Sequence, residues 1–145
     1  MRGILSSALA VIAFGALASG AAHAAPAKVG TDAFKIRSTQ DLVDLCSPSD
    51  PSDPLYDDAI NFCHGYVSGA WQYHQAEVNG PKGQALVCWP DPPPTRSESI
   101  AMFVTWARAH TQYMSEPAVE TMFRFLTEKW PCAEPAAAKR KGAAK

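Results

Sequence analysis

The chain has 145 residues, with 13 basic and 14 acidic side chains and a formal net charge of −1. That balance excludes the strong basic excess or stripe of a nucleic-acid binder. The length suits a single domain with a modest core.

Residues 1–24 read as a secretory signal. Arg2 supplies the positive start, Ile4 to Ala18 is almost unbroken apolar and small, and Ala22-His23-Ala24 gives an A-x-A cleavage pattern. The apolar stretch falls short of the ~20 residues that span a bilayer, so cleavage leaves no membrane span. The expected location is an oxidising space such as a periplasm, where disulfides persist.

Residues 25–37 show little periodicity and are expected to form a loose N-terminal arm. A first helix starts with Ser38 or Thr39 as N-cap, buries Leu42, Val43 and Leu45, and stops near Cys46-Ser47-Pro48. Three prolines between Ser47 and Pro54 then make a turn-rich loop. Asp50, Asp53, Asp57 and Asp58 cluster beside the next helix start, where carboxylates complement the helix dipole. They lack the ligand pattern of a calcium loop.

Tyr56 to about Glu77 is the strongest helix. Tyr56, Ile60, Cys63, Val67, Ala70, Trp71 and His74 share one face, while Phe62, Tyr66 and Tyr73 lie on a flank. Such breadth of apolar surface predicts a central helix, contacted from more than one side. Gly65 and Gly69 stack on the opposite face, each costing about 1 kcal/mol relative to Ala. Close approach of another helix or of the arm is the favoured explanation, and a groove for a second subunit the alternative.

Asn79 to Pro94 is a long irregular connector, with Leu86 and Val87 as a short extended piece. Thr95-Arg96-Ser97-Glu98 matches a capping box. The third helix then runs from about Arg96 to His110, burying Ile100, Phe103, Val104 and Ala107. A fourth begins near Ser115 or Glu116 with Pro117 in its first turn, and Pro131 ends it. Its expected buried face is Val119, Met122, Phe123, Leu126 and Trp130, with Glu120, Thr121, Arg124, Thr127 and Glu128 outward. Residues 133–145 form a basic tail, with Lys139, Arg140, Lys141 and Lys145, expected to be disordered. The fold class is therefore all-α, a small four-helix domain over residues 38–132.

Cys46, Cys63, Cys88 and Cys132 all lie after the signal, and an even set in a small exported domain indicates two disulfides. Three pairings are possible, and helix geometry ranks them. If helices three and four pack antiparallel, Cys88 before the one approaches Cys132 after the other, while Cys46 reaches Cys63 across the proline-rich loop. A metal site using His64, His74 or His110 lacks the C-x-x-C spacing of zinc sites. No metal or cofactor is expected. Ser68 follows His64 by four residues, but no nucleophile elbow or orienting third group accompanies them. No catalytic constellation emerges.

Four motifs occur in order: Leu-x-x-Leu-Cys at Leu42–Cys46, Cys-x-Gly-Tyr-x-x-Gly at Cys63–Gly69, Cys-x-Pro at Cys88–Pro90 and Pro-Cys at Pro131–Cys132. Together they resemble the Rap/Tai family of immunity proteins, with Gly65, Tyr66, Gly69, Pro90 and Pro131 as structural motif residues. The resemblance implies an all-α periplasmic protein that binds and inhibits a peptidoglycan amidase effector of type VI secretion and often dimerises. Members commonly carry His-Pro where this chain has His110-Thr111, and the connector is particular to this chain.

Rigidly presented loops lose less affinity to ordering on binding. The candidate partner contacts therefore lie in the connector and its approaches: Gln75, Glu77, Asn79, Lys82, Gln84, Trp89 and Asp91. The alternative reading is a periplasmic acid-stress or chaperone-like helical protein with no dedicated toxin partner.

Overall fold

The computed structural model describes residues 28–132; the expected signal at 1–24 and basic tail at 133–145 lie outside them. Four α-helices form in the predicted order: α1 Thr39–Cys46, α2 Tyr56–Val78, α3 Arg96–Ala109 and α4 Ala118–Lys129. Among the described residues there is no strand, only an isolated antiparallel bridge between Val87 and Pro131. The all-α class stands, and so do both disulfides in the preferred pairing, Cys46–Cys63 and Cys88–Cys132.

Local chemistry explains where the helices begin. Ser38 accepts from the Asp41 backbone N–H, and the Asp41 carboxylate accepts from the Ser38 N–H at 3.0 Å, closing a capping box. Thr95 and Glu98 do the same for α3. In contrast, α2 has no side-chain cap. Asp53, expected to complement that helix start, instead accepts from the Leu55 and Val29 backbone N–H groups and ties the arm down. Helix α4 starts after Pro117, which takes the N-cap position with extended backbone.

The shortest helix is the central one. Helix α1 packs against α2, α3 and α4, and Thr39, Leu42, Val43 and Leu45 are almost wholly buried. Its N-terminus has a backbone solution: the Thr39 N–H and hydroxyl donate to the Glu116 carbonyl, and the Gln40 N–H donates to the Met114 carbonyl. Two otherwise orphaned donors are thus satisfied by the loop between α3 and α4. By comparison, α2 fully buries only Ala59, Cys63 and His74; it is contacted from more than one side, by α1, α3 and α4, but the expectation that it would be central is overturned. Length gave α2 many apolar residues, but much of its flank faces outward.

Two further expectations change. Residues 28–37 are not a loose arm: Thr31–Lys35 forms a 3₁₀ turn, Ala33 is buried, and Phe34 meets Phe62 edge-on with ring centroids 5.3 Å apart. Helix α4 is turned roughly a quarter revolution from the predicted face at 100° per residue. Ala118, Thr121, Met122, Phe125 and Leu126 are buried, while Val119 is 42% exposed. For α3 the predicted core residues Ile100, Phe103, Val104 and Ala107 are those buried.

Candidate protein-interaction surface

The C-terminal half of α2 separates two grooves, and the connector from Asn79 to Pro94 wraps past its end to wall both. The connector is held at three places. At its start the Asn79 and Gly80 N–H groups donate to α2 carbonyls. Next, Gly83 folds back on the same helix end, where a β-carbon would run into the carbonyl oxygens of Glu77 and Val78. Only glycine permits that approach. Finally, Val87 bridges to Pro131, the Cys88 N–H donates to the Trp130 carbonyl at 2.9 Å, and Cys88 is bonded to Cys132.

The first groove, of about 700 Å³, lies between the α2 end, residues 80–86 and the start of α4. Tyr73, Leu86 and Val119 line it, and they are 69%, 50% and 42% exposed. They are three of the four large hydrophobic side chains exposed among the described residues; the fourth, Phe62, lies elsewhere on α2. His74 and Phe123 form the groove's inner wall, their rings 5.0 Å apart. Its charged groups are Glu77 and Lys82. The Tyr73 phenol hydrogen-bonds to Glu77, which together with that carboxylate's negative charge pushes the phenol's pKa up.

The second groove lies on the other side of α2, against α3, with a volume of about 420 Å³. Trp71 and Trp89 meet edge-on at 5.2 Å to form its wall, and Trp89 in turn packs at a tilt against Trp130 with ring centroids 4.5 Å apart.

The predicted contact residues therefore divide. Glu77, Lys82 and Gln84 line the first groove, whereas Gln75 and Trp89 line the second. Asn79 is the exposed C-cap of α2, and Asp91 is exposed on the connector and lines neither groove. Tyr73, Leu86 and Val119 were not anticipated as contacts. Their signal is exposure of large apolar side chains, which sequence does not display.

Among the motif residues, Tyr66 is half-buried; burial pushes its phenol up, opposed by a hydrogen bond with the Val119 backbone. Pro131 forms the bridge to Val87, and Pro90 is exposed beside the Trp89 wall. Among the described residues, a β-carbon at Gly65 or Gly69 would meet nothing within 4 Å. The favoured explanation for these glycines, close approach of another helix or of the arm, thus finds no support among the described residues. Ser68 donates its hydroxyl to the His64 carbonyl at 2.6 Å, so the two do not pair as nucleophile and base. Among the described residues, no group of three His, Cys, Asp or Glu side chains is placed to hold a metal ion, and no helix is long and apolar enough to cross a membrane.

A helical scaffold stapled by two disulfides, with apolar recesses beside a pinned connector, has the construction of a binding protein. A family model for Rap1a immunity proteins matches residues 38–132, and the chain belongs to that family. No curated protein and no solved structure matches it. Family membership makes a secreted toxin effector the partner, and two disulfides are consistent with a periplasmic or secreted protein.

Proposed function

We propose that this protein is exported to the periplasm and there binds and inhibits a peptidoglycan amidase effector delivered by type VI secretion. The first groove and the connector that walls it form the contact surface. The observation that carries this reading is the convergence of Tyr73, Leu86 and Val119, exposed apolar side chains from three separate segments, on one groove. Contiguous exposed apolar surface marks interaction sites, and tyrosine is among the residue types that carry most of an interface's energy.

The mechanism is steric. Residues Pro81 to Leu86 are all exposed, yet the loop is held at Gly83 and at Cys88. A pinned loop enters a cleft with little further ordering cost. Inhibition by occlusion asks for no catalytic group on this chain. The exposed stretch of α2 around Gly65 and Gly69, with Phe62 beside it, is the surface we assign to homodimerisation.

A pull-down with the purified exported chain tests the reading. A single stoichiometric amidase is expected, with Leu86→Asp plus Tyr73→Ala weakening its binding about a hundredfold. A partner of another enzyme class sinks the amidase assignment. Many weak clients captured only at low pH would favour the chaperone-like alternative.

A further inference from the structure

The groove between α2 and α3 is distinct from the surface assigned to the effector, and its chemistry points elsewhere. Its floor is core: Phe103, Met122 and Phe125 are nearly fully buried yet border the open space. Side chains bordering an unfilled recess forgo dispersion contacts on one side. An apolar body seated there restores them.

The mouth is polar and of one sign. Arg96 is the only charged residue in the lining, and it is exposed. It makes no ion pair among the described residues. The Glu98 carboxylate is capped to the Thr95 N–H and hydroxyl, both at 2.7 Å, forms no ion pair with Arg96 and lies outside the groove lining. The two lining serines are also committed, Ser68 to the His64 carbonyl and Ser99 to the Thr95 carbonyl. The uncommitted side-chain donors of the lining are the Arg96 guanidinium, the amides of Gln72 and Gln75 and the indole N–H groups of Trp71 and Trp89, and only the first is charged. Guanidinium and amide N–H groups match a carboxylate. The volume, about 420 Å³, lies within the usual ~300–1,000 Å³ range of small-molecule sites.

We infer that this groove binds a small amphipathic carboxylate, an unbranched acyl chain of medium length with its anionic head at Arg96 and its tail along the wall that Trp71 and Trp89 form. The inference is independent of the amidase reading.

Titrating the exported chain with hexanoate, octanoate and decanoate below their micelle thresholds tests it. Tryptophan fluorescence and calorimetry report the binding. Saturable one-to-one binding is expected, tightening by up to roughly fourfold per added methylene until the groove is full. Arg96→Gln should weaken decanoate about tenfold and leave 1-octanol within about twofold. Val67→Trp, with an unchanged far-UV CD spectrum, should abolish binding of both by filling the groove. Absence of saturation at millimolar decanoate overturns the proposal, as does equal affinity for decyltrimethylammonium or an Arg96→Gln loss shared by octanol. Saturation by a hydrophobic peptide alone would assign the groove to a protein and overturn it too.

Discussion

The two disulfides hold opposite kinds of structure. Cys46–Cys63 joins the central helix α1 to α2 where Cys63 is 1% exposed, among Leu42, Leu45 and Ala59 of the core. Cys88–Cys132 closes a longer loop at the far end of α2, where Cys88 is exposed and the neighbouring segments wall open grooves. At the first end the cross-link reinforces contacts that packing already makes. At the second it substitutes for packing, since residues 80–86 bury nothing and would otherwise sample many conformations. One staple serves the fold, and the other serves presentation.

The strongest test removes each in turn. Cys88→Ala with Cys132→Ala opens a loop of sequence separation 44 and should cost about 4 kcal/mol in the loop-entropy model, read as a lower urea midpoint. It should also abolish effector binding at temperatures where the helices remain folded. Cys46→Ala with Cys63→Ala, at separation 17, should cost about 3 kcal/mol while the folded fraction still binds. Equal binding by the two double variants would erase the distinction.

Gly83→Ala sharpens it without touching a cysteine. Forcing a β-carbon against the Glu77 and Val78 carbonyls should cost about 1–3 kcal/mol as an overpacking change, with binding lost and the far-UV spectrum unchanged. At the packed end, Thr121→Val should raise stability by about 1 kcal/mol. Its hydroxyl is buried with no hydrogen-bond partner, so an apolar isostere removes an unmet demand. A urea midpoint that falls instead would reveal a partner for the hydroxyl.

The smallest effect is on pH dependence. Hydrogen bonds from the Thr95 hydroxyl and then its backbone N–H hold the Glu98 carboxyl below the ordinary glutamate range. A depressed folded-state value means the contribution is present above that range and lost as pH falls through the folded value. Glu98→Gln should therefore lower stability slightly at neutral pH, leave it unchanged below the folded value, and so flatten the acid limb of the stability curve. An unchanged acid limb would show the cap to be without effect.

Much of the fold was legible because local rules and burial agreed. The Thr95/Glu98 box and the spacing of Ile100, Phe103, Val104 and Ala107 specify α3 and its inward face without reference to neighbours. For α4 they did not agree. Hydrophobicity placed Val119 inside and Thr121 outside, yet Thr121 is fully buried and Val119 lines a groove. The helix is turned by what it packs against, α1 and α3, and an amphipathic stripe one position wide of that contact is still amphipathic. The proposed interaction surface was half visible: Glu77 at the end of α2 and Lys82 and Gln84 in the connector were read as contact candidates from sequence. Tyr73, Leu86 and Val119 were not, because they are 13 or more positions apart in sequence and meet only in the folded chain.

By itself, the sequence determined the four helices and their order, the caps of α1 and α3, and two disulfides with a preferred pairing, because each depends on residues a few positions apart or on the reach of a connecting loop. Only the tertiary structure decided that α1, the shortest helix, is central, that Gly65 and Gly69 face open space, and that exposed apolar side chains converge beside the connector. Those outcomes depend on which surfaces exclude water together, and that is a property of the assembled helices.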